Sequence, residues 1–315
     1  MRLLSLRLGG TVLLAAVFLA SAGCGDDPGD EAAVARIAAD APPLSAFDIY
    51  AVGSGDGNVL FSDVYGITLN PLRAYRLTAD KRISWITANA GTVAVAAGDE
   101  QIDKLGLVQS DGVIAEIPGL GRPHAFSPEF QPDGTLRYED LGTGDTIVHR
   151  YMSYDPKSTK STVLFETRDD TASIAAAGPG GGFLSVVQTE NRDDQILLMD
   201  FDGKRRAITV APQIGSPVAG KGFVVSPVYR AGSDVPASDT AVVNPRTGKV
   251  RMIEGWAVLG VTPDRTKFLA VRHLGSDAEL GVVDPTNRDT PQILGTIPGL
   301  TLYMASWVER AQPSR

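Results

Sequence analysis

The side chains able to do chemistry in this 315-residue chain are few: one cysteine, Cys24, and three histidines, His124, His149 and His273. A single thiol excludes an internal disulfide. No GxSxG elbow, HExxH helix, CxxC pair or phosphate-cradling glycine loop occurs. The acid pairs Asp99-Glu100, Asp169-Asp170 and Asp193-Asp194 offer hard oxygen ligands, yet none has the DxDxDG spacing of a calcium loop. No metal, cofactor or catalytic residue is therefore expected. His124, Trp85, Trp256 and Trp307 stand within or just ahead of short apolar runs. What they can touch depends on the elements that carry those runs.

The elements repeat. Residues 258–294 hold four apolar runs, Val258–Val261, Phe268–Val271, Leu280–Val283 and Gln292–Leu294, each bounded by Pro, Gly, Asp or Asn. Short Val/Leu/Ile runs cut by turn residues read as strands. The same cassette recurs at 83–117, 125–165, 173–209 and 214–253. The acid or amide ending each third strand, Asp155, Asp200, Asn244 and Asp284, follows Ser110 at steps of 45, 45, 44 and 40 residues. Such residues bond the backbone two positions on and start turns. Four strands per unit at this period predict an all-β fold, a β-propeller of four-stranded antiparallel blades.

A copy beginning at Phe47 lacks its first strand, and the chain closes with an orphan run, Leu302–Trp307. The two deficits match, so the expectation is six blades with the ring closed by the C-terminal strand. The SGDGN stretch, Ser54–Asn58, reads as a hairpin turn. In such a ring the first strands line a central channel. His124, Trp85 and Trp256 are accordingly the candidate ligand contacts at its mouth. Wedge packing between blades is the other reading of the tryptophans, Trp307 included. His149 and His273 are expected to be structural.

Arg2 and Arg7 precede an uncharged run, residues 8–23, which reads as a secretory signal. Its end, Leu19-Ala20-Ser21-Ala22-Gly23-Cys24, resembles the lipobox of bacterial lipoproteins, with Ser21 where that family more often has Leu. The resemblance implies cleavage before Cys24 and a lipid on its thiol, which places the protein on the extracytoplasmic face of the cell membrane. Residues 24–45 carry five acids against Arg36 and read as a solvated, flexible tether. Residues 46–310 form the propeller and 311–315 a C-terminal tail. The net charge is −8, and loss of residues 1–23 removes two more positive charges. Nucleic acid is thus an unsuitable partner, and an anionic lipid surface is expected to repel the body as a whole.

The turns Phe126-Ser127-Pro128…Pro132-Asp133-Gly134 and Val261-Thr262-Pro263-Asp264-Arg265 resemble the SPDG signature of TolB-type propeller repeats. The segment from Met199 to Thr209, with its Asp202-Gly203 turn, is similar to the end of such a repeat. The resemblance covers roughly residues 46–310 and implies a six-bladed propeller that binds proteins or peptides without catalysis. TolB carries an α/β domain ahead of its propeller; here only the tether does, so TolB's partners are not carried over. The expected function is a non-catalytic binding module at the cell envelope with an envelope protein as partner. The alternative is a lactonase- or lyase-like enzyme with a metal in the channel. First strands rich in Ala, Val, Ile, Ser and Gly argue against that.

Overall fold

A computed structural model describes residues 41–55, 62–79, 82–99, 102–120, 125–142, 148–168, 172–177, 183–188, 194–199, 205–211, 214–229, 238–286 and 290–308. Twenty-four strands fall into six four-stranded antiparallel sheets. The first joins the two ends of the chain: β24 (Thr301–Trp307), β1 (Ile49–Ser54), β2 (Asp63–Leu69) and β3 (Leu72–Arg76). The second is β4 (Ile83–Asn89), β5 (Thr92–Asp99), β6 (Ile102–Val108) and β7 (Ile114–Glu116). The third is β8 (Ala125–Phe130), β9 (Leu136–Gly142), β10 (Val148–Asp155) and β11 (Lys160–Thr167). The fourth holds β12 (Ala172–Ala177), β13 (Phe183–Gln188), β14 (Asp194–Met199) and β15 (Arg205–Ala211). The fifth holds β16 (Val218–Ala219), β17 (Val224–Val228), β18 (Asp239–Val243) and β19 (Val250–Ile253). The sixth is β20 (Ala257–Val261), β21 (Phe268–Leu274), β22 (Asp277–Val283) and β23 (Gln292–Ile297).

The turn chemistry is the one the sequence calls for. Asp155 Oδ1 accepts from Lys157 N at 2.9 Å, Asn244 Oδ1 from Arg246 N at 2.9 Å and Asp284 Oδ1 from Thr286 N at 2.8 Å. Each bond satisfies a turn amide and ends a third strand. Asp200 and residues 56–58 of the SGDGN stretch lie outside the described residues.

One strand differs from its sequence reading. The run Ile214–Val218 was expected as a single strand, but only Val218–Ala219 pairs as one, and Ile214 makes an isolated bridge to Val228. Pro217 has no N–H to give a ladder. Ser226 Oγ donates to Gly215 O at 2.7 Å, and Gly215 N donates to Pro227 O at 2.8 Å across the gap.

Apolar side chains wedge between successive sheets. Ile49, Ala51 and Ile67 of the first pack with Leu259, Leu269 and Leu280 of the sixth. Tyr50 and Val64 meet Ile86 and Val95 of the second. Ala96 and Leu105 meet Tyr138 and Tyr154 of the third. Ile196 and Ile208 meet Val224 and Val243, and Phe223 and Val225 meet Phe268 and Ala270. Sheets covered on both faces explain the loose alternation of their strands.

Candidate functional site

At the turn-bearing end of the first strands, polar groups cross from sheet to sheet. Ala88 N donates to Ser306 Oγ at 3.0 Å, tying β4 to β24. Phe130 N donates to Thr87 Oγ1 at 3.0 Å and Asn89 Nδ2 to Gln131 O at 3.4 Å, tying β4 to the end of β8.

Arg265, in the turn after β20, makes the widest connection. Its Nε and Nη2 donate to Ala219 O of β16 at 3.2 and 2.8 Å, and Nη1 reaches Glu129 Oε1 of β8 at 3.0 Å. Its carbonyl accepts from Lys221 N at 2.7 Å. One residue thus joins the third, fifth and sixth sheets. The Arg265 and Glu129 side chains stay 33% and 23% exposed, so an incoming ligand would meet a donor fork beside a carboxylate. Tyr151 is buried nearby; burial first, and then the Glu129 charge, raises its pKa and keeps the phenol neutral.

The backbone at Arg265 bears a cost. Its φ is +59°, whereas the sister turn Pro132-Asp133-Gly134 has glycine at this position with φ +85°. A left-handed conformation costs an L-residue about 1–2 kcal/mol. Asp264 supports the turn: hydroxyl donation from Thr262 at 2.6 Å and Thr266 at 2.7 Å, and the Thr266 amide, hold its pKa down to about 2. Arg265→Ala should therefore destabilise the fold by about 2 kcal/mol, since it loses the cross-sheet bonds and keeps the strain. Arg265→Gly, which relieves the strain, should cost less, and urea denaturation of the two variants would order them. Equal losses would mean that the conformation carries no cost.

A second polar group lies in the third sheet. His149 Nδ1 sits 2.6 Å from Glu139 Oε1, both side chains being under 10% exposed. Arg150 bonds Glu166 at 3.0 Å and approaches Asp140 at 3.6 Å. A histidine–carboxylate pair this deeply covered holds strands together; a substrate cannot reach it. His273 is half-buried beside the Leu302 backbone, and its burial lowers its pKa. Among the described residues no three His, Cys, Asp or Glu side chains gather as metal ligands.

The residues singled out in the sequence separate. Trp256 is corrected: it is 6% exposed and packs between the fifth and sixth sheets, with the Arg272 guanidinium 5.0 Å over its ring, so it faces no channel. Trp85 is half-buried against the cluster between the second and third sheets, and Trp307 against that between the first and sixth. An indole fills such a wedge because it buries much area at low entropic cost. His124 and Cys24 lie outside the described residues.

Sequence reading missed Glu129 and Arg265. The signal was the departure of Thr262-Pro263-Asp264-Arg265 from the Pro-Asp-Gly of its sister: an arginine in a glycine's place implies a use for the side chain.

The sheets and the wedge packing define a β-propeller of four-stranded antiparallel blades. No family model matches the chain, and no curated protein matches it. It is similar in structure to TolB from Acinetobacter baumannii, with a TM-score of 0.58 at 13% identity over 83% of this chain. The match spans 66% of that TolB chain's length. A putative TolB from Agrobacterium tumefaciens aligns with a TM-score of 0.51 at 11% identity, over 75% of this chain and 94% of that one. An oligogalacturonate lyase in complex with manganese aligns at 0.46 and 13% identity, over 66% of this chain and 62% of that one. Likeness at these identities shows the propeller fold alone, in TolB proteins and an enzyme alike.

Proposed function

We propose that the six sheets are six blades of one ring, closed by the C-terminal strand. In this reading the protein is held by a lipid on Cys24 at the extracytoplasmic face of the membrane and serves as a non-catalytic binding module for an envelope protein. The observation that carries the binding reading is the Arg265–Glu129 connection between the third and sixth sheets. It spends the strongest polar groups at the turn end on holding blades together, so a partner is received from the opposite mouth. Support for the anchor comes from the lipobox ending at Cys24.

Cys24→Ser should move the protein from the membrane fraction to the soluble fraction without altering its melting transition; a variant still in the membrane fraction would defeat the anchor. For the binding reading, the lipidated chain would be extracted in mild detergent, cross-linked and weighed. A single stoichiometric partner is the expected result, and turnover of a lactone or oligosaccharide by the purified chain would overturn it.

A further inference from the structure

The sheets give the molecule two unlike ends. In every sheet the chain runs through four antiparallel strands, so the turns from first to second and third to fourth strand share one end. The inter-sheet bonds of Ser306, Thr87 and Arg265 place these turn ends at one common face.

Charge is divided between the two ends. Six lysines occur among the described residues, and five of them, Lys157, Lys160, Lys221, Lys249 and Lys267, lie in or beside turns of this face. The sixth, Lys104, stands near the other end, at the start of β6. Exposed Arg73, Arg206 and Arg246 add to the turn face. Against them stand aspartates folded back onto their own turns, as Asp111 does on Val113 N, Asp133 on Thr135 N and Asp264 on Thr266 N. The ammonium groups project while these carboxylates face inward, and the cations outnumber the anions.

The N-terminal segment arrives at the same face. Leu44–Ala46 forms a 3-10 turn, held where the Tyr50 hydroxyl donates to Leu44 O. A Cβ on Gly91, in the first turn of the second sheet, would lie 3.0 Å from Ser45 Cα, so Ser45 rests on a turn of the cationic face. Residues 24–40 reach at most about 60 Å when extended, which keeps that face within reach of a bilayer.

We infer that this turn face docks on the anionic phospholipid headgroups of the membrane that carries the anchor, leaving the opposite mouth turned outward. The inference rests on the lipid-anchor reading. The formal charge of −8 does not oppose it. Salt screens charges beyond about 8 Å, so headgroups sense the facing lysines and not the far side of the body. The expectation that the body is repelled as a whole thus yields to the way the fold sorts its charges.

The test uses isolated membranes bearing the lipidated full chain, treated with a membrane-impermeant amine reagent and read by peptide mass spectrometry. Labelling of Lys221, Lys249 and Lys267 should fall severalfold in the membrane relative to detergent solution, while Lys104 labels equally in both. Equal labelling of all four in a membrane-bound protein overturns the docking and spares the anchor. A protein absent from the membrane fraction sinks the anchor reading itself. In a second measurement the Cys24→Ser chain is floated with phosphatidylglycerol-containing vesicles. Lys221→Glu and Lys249→Glu should each weaken binding about fivefold or more. Binding that appears only once the tether acids are neutralised would show the tether occupying this face, and the proposal would fall.

Discussion

Deleting residues 300–315 should abolish cooperative folding. The segment contains β24, which pairs with β1 from Ile49↔Trp307 to Ser54↔Thr301. Its Leu302 is 1% exposed, and the partners it covers, Ile49 and Ala51, are both at 0%. Burying one large aliphatic side chain contributes about 1.5–3 kcal/mol, and each ladder hydrogen bond about 0.5–1.5. Stripping a whole strand removes more than the 5–15 kcal/mol that holds a typical domain folded. Calorimetry of the truncated chain should show no sharp transition. Added in trans, a peptide of residues 300–315 should restore one by mass action. An unchanged melt of the deleted chain would show that β24 is dispensable and that closure lies elsewhere.

Gly260→Ala should be the most damaging single substitution in the first strands. A Cβ there would lie 2.1 Å from Ala305 O, so β20 and β24 approach too closely for any side chain. The atom in the way is backbone, which cannot swing aside as a side chain end would. Overpacking of this kind costs about 3 kcal/mol or more. Gly134→Ala supplies the comparison: its φ is +85° and nothing lies within 4 Å of the added carbon, so only conformational strain of about 1 kcal/mol applies. Denaturant midpoints of the two variants separate clash from strain. Similar losses would mean that the seam between the first and sixth sheets opens readily.

Much of the architecture is legible in local sequence because its determinants are local. The Asx turns at Asp155, Asn244 and Asp284 need only a carboxylate or amide two residues before an amide, and they recur in the chain as they recur in the fold. A further repeat is visible in hindsight: Ile117-Pro118-Gly119-Leu120 and Ile297-Pro298-Gly299-Leu300 carry the chain from one sheet to the next. In both, glycine takes a positive φ, +80° and +63°, and Asp277 Oδ1 accepts from Gly299 N at 2.9 Å. The failed reading of Ile214–Val218 is also local, since Pro217 interrupts the ladder.

The chain by itself determined the strands, their period, the turns that end them and the lipobox ahead of them, because each depends on residues a few positions apart. Tertiary structure alone decided which distant side chains meet. Arg265 and Glu129 are separated by 136 residues, and no periodicity reports that their sheets bring them to 3.0 Å. It decided that Trp256 fills a wedge and faces no channel, since facing depends on how neighbouring sheets pack. It also decided the charge of each face. A formal charge of −8 is a sum without direction, and strand polarity is what gathers the lysines at one end.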